Sequence, residues 1–327
     1  MLQRRTFLAL PALAAPAILS RPARASALDP VRVGVFPVSS ALPYFVAKDR
    51  GYFAAAGIDA IPTRMASSTL ILGGFLTGDL DTAATLVTIE ALNINLKSPG
   101  AVVYISLNGQ NAAHCQEAFV VRNGIEAKTV ADLKGRATKI MAASGPANTS
   151  MARAVLKVNG LVEGRDYVLT DLATNLHVGA MTAGTFDAGF TLEPSGTMLQ
   201  TSGGAQMLER GVIATYILGN PSALAFAAGG ALSGDFLRRQ PDVAKRYAAA
   251  WARALADIIE DPSARDLLRV NTATPPDLVR DVGIPLAKMS GQLTPDEMAD
   301  FQKFIDFAAE QKIVTAHVDT AAVLRML

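Results

Sequence analysis

The chain has 327 residues, of which 50% are hydrophobic and 18% are charged, and its formal net charge is +1. This composition excludes an intrinsically disordered chain, and the length suffices for one large or two medium globular domains with buried cores. A charge so close to zero gives no basic surface of the kind that binds nucleic acid, so we expect no nucleic-acid partner.

The N-terminal segment, residues 1–27, has the features of an export signal. Arg4 and Arg5 precede an apolar stretch over residues 7–19, a pattern that resembles the twin-arginine motif and is too short to span a bilayer. Ala25-Ser26-Ala27 supplies a small-x-small cleavage site without a cysteine, and the alternative, a buried N-terminal helix, suits the prolines and arginines of this segment poorly. We therefore expect a soluble periplasmic protein without a lipid anchor. Its mature chain would begin at Leu28 and carry 26 basic and 29 acidic residues, a net charge of −3.

The single cysteine, Cys115, excludes an internal disulfide bond. We expect a buried, inert thiol, because catalysis by Cys115 would need a positioned base. The three histidines lack metal-ligand spacing, and the chain contains no CxxC, HExxH, GxSxG or glycine-rich phosphate loop. The sequence therefore predicts no cofactor and no metal site, and it gives no positive indication of an enzyme.

Short apolar runs alternate with helical patterns along most of the chain, which is typical of an α/β fold with mainly parallel strands. Eight strands are predicted, at residues 31–36, 58–63, 82–86, 102–107, 117–122, 137–142, 167–172 and 188–192. From Pro241 onward the pattern predicts helices alone. Thr294, Pro295 and Glu297 form a capping box at the start of one of them, and Trp251 lies on the apolar stripe of another, where a core position is expected.

A faint internal repeat relates two segments of the chain. "GGFLTGDLDTAATLVT" (residues 73–88) and "GAMTAGTFDAGFTLEP" (residues 179–194) match at Gly78 and Gly184 and at Asp81 and Asp187. Each predicts a helix that ends at glycine, a turn through aspartate and a buried strand. Chance similarity of two short units is the alternative; if the repeat is real, the protein has two similar lobes that face each other across a cleft.

Polar side chains follow three of the predicted strands, each at the start of a helix. They are Ser39 and Ser40, then Ser67, Ser68 and Thr69, then Ser144, Asn148, Thr149 and Ser150. Any one such run is ordinarily a helix N-cap. Three on the same edge predict a site where hydroxyls and helix N-termini hold a small oxyanion, to which Arg64 or Arg122 could add charge.

Four segments together resemble the nitrate/sulfonate/taurine-type (SsuA/THI5-like, NMT1) solute-binding proteins of ABC importers. They are "VRVGVFPVSSALPYFVAKDRGYFAAAGID", "ASSTLILGGFLTGDLDTA", "EAFVVRNGIEAKTVADLKGR" and "TAGTFDAGFTLEP". The resemblance implies a two-lobed periplasmic-binding-protein (type II) fold, with lobe 1 over residues 28–113, lobe 2 over 114–221, and a return to lobe 1 with C-terminal helices over 222–327.

The resemblance also implies a function and a ligand site. The chain would be a monomer that captures a small organic anion and delivers it to a membrane ABC permease and its ATPase. The implied ligand positions are Ser39, Ser40, Ser67, Ser68, Thr69, Val87, Thr88, Asn148, Thr149 and Glu193. The contribution of Gln110 and Asn111, just before the expected lobe crossing, stays open.

Two departures from the family pattern bear on the ligand. Leu86 and Val87 stand where many relatives have small polar residues, and Leu192 stands where many have tryptophan. An apolar wall favours an organic anion with a hydrocarbon or aromatic part. Glu193 in the cleft would repel an anion but could hold an amine or another hydrogen-bond donor, and a surface or hinge position is its alternative role. A periplasmic ligand sensor and a non-transport enzyme of the same fold acting on a small heterocycle remain alternative functions.

Overall fold

The computed structural model describes residues 27–327, so the predicted signal peptide lies almost entirely outside the described residues. The strands in this part of the chain are β1 (Asp29–Val35), β2 (Ile58–Arg64), β3 (Thr82–Val87), β4 (Val102–Tyr104), β5 (Ser106–Gln110), β6 (Glu117–Arg122), β7 (Lys139–Ala143), β8 (Val168–Leu172), β9 (Ala188–Leu192), β10 (Ala205–Arg210), β11 (Ala225–Ser233) and β12 (Leu286–Met289).

The α-helices of the same residues complete the element list. They are α1 (Leu42–Asp49), α2 (Tyr52–Ala55), α3 (Ser68–Thr77), α4 (Thr88–Lys97), α5 (Pro146–Val158), α6 (His177–Thr182), α7 (Ser195–Thr201), α8 (Gly234–Arg239), α9 (Pro241–Glu260), α10 (Leu267–Asn271) and α11 (Pro295–Glu310). None of the helices in residues 27–327 is long and apolar enough to cross a bilayer.

The strands form two sheets, one in each lobe. The first has the order β12-β5-β11-β3-β1-β2, with β4 paired to β11, and the second has the order β10-β6-β9-β7-β8. The chain therefore passes between the sheets twice, after β5 and after β10. The predicted lobe boundaries at 113/114 and 221/222 fall within these two crossings and stay predictions.

Strand directions in both sheets are mixed, so the expectation of mainly parallel strands is wrong. β1 runs parallel to β2 and β3, and β7 runs parallel to β8 and β9. The first strand after each crossing, β6 or β11, is antiparallel to its neighbours. A strand that enters a sheet directly from the facing lobe has no crossover helix before it, and parallel pairing requires one.

The internal repeat is confirmed in three dimensions. Gly78 and Gly184 both follow a helix with positive φ, at 78° and 72°, and β3 and β9 are equivalent buried strands, each parallel to the first strand of a βα unit. The turn aspartates hold those neighbouring strands: Asp81 accepts the Arg32 N–H on β1 at 3.0 Å, and Asp187 accepts the Lys139 N–H on β7 at 3.0 Å. Each aspartate thus connects the turn before its strand (β3 or β9) to the neighbouring parallel strand (β1 or β7).

The C-terminal part packs on the first lobe as the apolar pattern predicts. Trp251 on α9 is fully buried, and its indole N–H donates to the Ser106 hydroxyl at 3.0 Å, so it is a core residue. Thr294 and Glu297 form the expected capping box of α11. The expectation of helices alone is wrong at one point, since β12 adds a strand to the edge of the first sheet by pairing with β5.

Candidate functional site

A cavity of about 40 Å³ lies between the two lobes. Both sheets and the second crossing segment contribute to its lining. The lining residues are Phe36, Val38, Ser40, Ser68, Thr85, Val87, Ile89, Gln110, Gln116, Glu117, Ala147, Asn148, Met151, Phe190, Leu192, Ile213, Ala227, Ala228 and Phe304. Four of the ten residues implied by the resemblance are thereby brought together: Ser40, Ser68, Val87 and Asn148.

Most of the cavity wall is apolar, and three aromatic rings from different elements take part. Phe36 follows β1, Phe190 lies on β9, and Phe304 comes from the C-terminal helix α11. Of the three positions that set this chain apart from the family pattern, Val87 and Leu192 lie in this wall, whereas Leu86 does not. The apolar wall expected from the sequence is therefore present.

The hydroxyl and amide side chains of the cavity are held by bonds within the protein. The Ser40 and Thr85 hydroxyls lie 3.0 Å apart and share a hydrogen bond. Ser68 Oγ accepts the Val87 N–H at 3.3 Å, and Asn148 Nδ2 donates to the Ser144 carbonyl at 2.8 Å. These groups give the cavity a polar rim that carries no formal charge.

One ionisable side chain, Glu117, lines the cavity. It is the first residue of β6 and is 1% exposed. Its Oε1 accepts the Ile213 N–H at 3.0 Å, whereas its Oε2 is buried without a hydrogen-bond partner. Loss of solvation raises the pKa of Glu117 to about 7. Sequence reasoning missed this residue; the only signal was an acid at the start of an otherwise apolar strand.

Five other ligand positions implied by the resemblance lie outside the cavity lining. Their polar side chains form hydrogen bonds within the protein. Ser39 donates to Gln116 Oε1 at 2.8 Å, and Thr88 donates to the Phe226 carbonyl at 3.0 Å. Thr149 donates to carbonyls of its own helix, Ser67 caps α3, and Thr69 donates to Glu90. These bonds hold the walls of the cleft in place.

Glu193 is buried, 1% exposed, and does not line the cavity. Its Oε2 accepts the Thr197 N–H at 3.1 Å, in the first turn of α7, and its Oε1 has no partner. Burial raises the pKa of Glu193. The surface alternative is therefore wrong, and the carboxyl lies against the first turn of α7, on the residue that follows Leu192 of the cavity wall.

Direct hydrogen bonds join the two lobes around the cavity, so the cleft is closed. Glu90, in the first turn of α4, accepts the Ala147 N–H at the start of α5 at 3.2 Å and the Thr69 hydroxyl at 3.0 Å. The Ser39 N–H donates to the Glu193 carbonyl at 2.9 Å. The N-terminus of α5, which the sequence predicts to hold a ligand anion, thus receives a carboxylate of the protein itself.

The two arginines considered for the site do not line the closed cavity. Arg64 borders a separate pocket of about 430 Å³ at the edge of the cleft, and it donates to the Asn271 carbonyl at 2.8 Å. Arg122 forms an ion pair with Asp187 at 3.0 Å.

Cys115 is buried, and its thiol donates to the Glu117 carbonyl at 3.4 Å. Burial raises the pKa of the thiol well above its usual range, so little thiolate exists at neutral pH. Residues 27–327 contain no group of three or more His, Cys, Asp or Glu side chains that could hold a metal ion.

Comparison with known proteins gives a family match and fold neighbours. A model of the NMT1-like family matches residues 24–269. No curated protein matches the chain. The alkanesulfonate-binding protein SsuA of Xanthomonas axonopodis pv. citri, solved with bound MOPS, is 17% identical with a TM-score of 0.71, over 92% of this chain and 99% of that one.

Two further solved structures share the fold. The periplasmic nitrate-binding protein NrtA of Synechocystis PCC 6803 is 15% identical with a TM-score of 0.74, over 91% of this chain and 86% of that one. The desulfurization enzyme DszB is 16% identical with a TM-score of 0.62, over 90% and 96%. The architecture is thus the two-lobed fold of periplasmic binding proteins. The solved structures with this fold include binding proteins and an enzyme.

Proposed function

We propose, from the premise that the chain belongs to the NMT1-like family, that it is the solute-binding component of an ABC importer. It would act in the periplasm as a monomer and deliver a small organic solute to a membrane permease and its ATPase. No bond of the solute would be made or broken.

The observation that carries this proposal is a cavity lined by both lobes of a chain that crosses between them twice. Two short crossings form a hinge, and a hinge lets a solute enter an open cleft and be enclosed as the lobes close. The fold neighbours SsuA and NrtA, which are named for binding alkanesulfonate and nitrate, support the same role.

The size of the cavity supports a trap that opens and closes. Sites for drug-sized ligands occupy roughly 300–1,000 Å³, whereas this cavity measures about 40 Å³. A solute with even one ring therefore requires the lobes to separate further than they do here. The hydrogen bonds between Ser39, Glu90 and the second lobe are the contacts that such a movement would change.

The solute predicted from the sequence is a small organic anion, sulfonate- or carboxylate-like, with an apolar part. The apolar walls of the cavity support the prediction that the solute has an apolar part. An anion would have to be held without Lys, Arg or His, because the hydrogen-bond donors that line the cavity are the uncharged side chains of Ser40, Ser68, Thr85, Gln110, Gln116 and Asn148.

A ligand screen tests the proposal. The purified protein is unfolded and refolded to remove any carried-over ligand, and its melting temperature is measured with sulfonates, carboxylates, nitrate, amines and pyrimidines. A true ligand at a hundredfold excess over its dissociation constant stabilises the folded state by about 2.7 kcal/mol. Small-angle scattering of the free and ligand-bound protein then reports closure. A protein that no compound stabilises, and whose scattering never changes, would not be a solute trap.

The likeness to DszB keeps an enzyme of the same fold as a second candidate. It predicts turnover of an added compound, seen as a new product by chromatography. In the transport role the bound compound is recovered unchanged. A sensor role, in which the closed form docks to a receptor, is distinguished by testing whether the ligand-bound protein stimulates the ATPase of a reconstituted permease.

A further inference from the structure

The charge of the cavity lining is unusual for a site that would hold an anion. Glu117 is its one ionisable side chain among the described residues, and the other polar lining groups are Ser, Thr, Asn and Gln. A buried anion beside an acidic group, without a basic partner, bears a large desolvation cost. The lining is therefore better suited to a solute that brings no negative charge to Glu117.

The position of Glu117 makes it a fixed recognition group. It begins β6, directly after the first crossing, and its backbone pairs with Leu192 of the cavity wall. The Ile213 N–H, from the second crossing segment, holds Oε1 at 3.0 Å. The carboxyl is thus anchored from both crossings, while Oε2 stays free.

The buried side-chain atom left unpaired at the cavity is Glu117 Oε2, an acceptor when the carboxyl is ionised, although Gln110 and Gln116, which also line the cavity, carry amide donors. The Ala147 N–H is taken by Glu90, the Leu70 N–H by Ser67 and the Ser39 N–H by the Glu193 carbonyl. These are the helix starts at which an anion was expected. Native proteins leave few buried polar atoms unpaired, and Glu117 Oε2 is one, on a residue that lines the cavity.

We propose that Glu117 Oε2 accepts a hydrogen bond from an N–H group of the solute, so that the captured compound carries an amine, amidine or amide next to an apolar part. This inference rests on the proposed function and narrows its solute class. It replaces the bare sulfonate or carboxylate expected from the sequence. Phe36, Phe190 and Phe304 would enclose the apolar part, which favours a ring.

The test uses four probes that share one ring: benzylamine, benzamide, benzoate and benzenesulfonate. Each is titrated calorimetrically at pH 8.5, where the Glu117 carboxyl is ionised and can only accept, into refolded protein and into the Glu117→Gln variant. The amide oxygen of the variant can keep the Ile213 N–H, which turns its NH2 group toward the solute. We expect benzylamine or benzamide to bind the unaltered protein, and about 10- to 100-fold weaker binding by the variant, because a donor would then face a donor.

Two further variants serve as controls. Glu209→Gln makes the same chemical change in the same lobe, on a carboxyl that accepts the Val130 N–H at 2.8 Å and does not line the cavity, so it should keep the affinity of the unaltered protein. Glu117→Leu removes the acceptor altogether and should weaken the N–H probes as well. Melting curves of each variant show whether it is folded.

The outcomes separate this inference from the proposed function. Binding of benzoate or benzenesulfonate alone, or equal binding of the N–H probes by Glu117→Gln, would overturn the role of Glu117 while leaving solute capture intact. If none of the four probes and no compound of the wider screen binds the unaltered protein, the proposed function itself fails, and the inference with it.

Discussion

The carboxylate of Glu90 in the first lobe accepts the backbone N–H of Ala147 in the second lobe, at 3.2 Å. The contact places a negative charge at the positive end of α5, where the helix dipole favours it. This hydrogen bond holds the two lobes together through a side chain of the protein and not through a bound anion. Glu90 also accepts the Thr69 hydroxyl, so three elements meet at one carboxylate.

Removal of this contact should open the cleft. Hydrogen bonds to charged groups contribute about 1.5–3 kcal/mol, and Glu90→Ala removes one that exists only when the lobes are closed. We expect a larger radius of gyration for the ligand-free variant in small-angle scattering. We also expect tighter apparent ligand binding, because the closed ligand-free form, whose cavity is too small for a ring, then competes less with the form that admits the solute.

Glu163→Ala is the control for the opening experiment, since its ion pair with Arg153 is exposed and lies within the second lobe. It should keep the scattering curve of the unaltered protein. An unchanged radius of gyration in Glu90→Ala would mean that the other interlobe contacts hold the cleft closed without Glu90.

Glu117 should make the protein less stable as the pH rises. Burial raises its pKa to about 7 in the folded state, from an ordinary value near 4.5. Between these values the folded chain keeps a proton that the unfolded chain has lost, so the free energy of unfolding falls with rising pH. Above pH 7 the full penalty is about 3 kcal/mol.

Glu117→Gln removes this titration and should be more stable than the unaltered protein above pH 7, with the gain disappearing below about pH 4.5. Urea unfolding of both proteins across this range gives the difference directly. A difference that does not depend on pH would show that Glu117 titrates normally.

His177 should make the protein less stable as the pH falls from 6.5 toward 4, the opposite direction to Glu117. Its ring is buried, with Nδ1 2.9 Å from the Thr191 hydroxyl and Nε2 3.0 Å from the Leu172 carbonyl, and burial lowers its pKa to about 4. The unfolded chain binds a proton near pH 6.5, so the contribution of His177 is complete above that pH and is lost as the pH falls toward 4.

The His177→Gln variant tests this assignment. The difference in free energy of unfolding between the unaltered protein and this variant, measured by urea unfolding, should change in favour of the unaltered protein as the pH rises from 4 to 6.5. Taking the difference separates His177 from Glu117, whose contribution has the opposite slope in part of this range. Equal slopes for the two proteins would place the acid sensitivity on other groups.

Ser67→Ala separates helix capping from ligand binding. Ser67 Oγ accepts the Leu70 N–H and lies outside the cavity lining. Loss of such a cap costs about 1 kcal/mol, so we expect a lower free energy of unfolding and ligand affinity within about twofold of the unaltered protein. Weaker binding without loss of stability would instead support Ser67 as a ligand contact.

Much of the fold could be predicted from apolar periodicity. All eight predicted strands are present within one or two residues at most ends, although residues 102–107 are divided between β4 and β5. Three strands were not predicted, β10, β11 and β12, and the longest of them is β11, with the sequence AFAAGGALS. Its alanines and glycines have low strand propensity, and it is a strand because its neighbours β3 and β5 bury it.

The sequence could predict where the candidate cavity lies, but not which side chains line it. The polar helix starts do surround the cleft, as Ser40, Ser68 and Asn148 show. Sequence alone does not say which hydroxyl faces a cavity and which caps a helix, because the same side chains do both. Glu117 was missed because an acid at the start of a strand ordinarily faces solvent, and only the lobe crossings bury it.

The position of β11 between β3 and β5 has a consequence for the order of folding during synthesis. The middle of the first sheet comes from residues 225–233, so the ribosome has already produced the whole second sheet when that strand emerges. The second lobe can fold as one uninterrupted stretch of nascent chain, whereas β3, β4 and β5 of the first lobe lack their partner β11 until late. The first sheet, whose first strands are translated earliest, is therefore completed only after the second sheet has been synthesised.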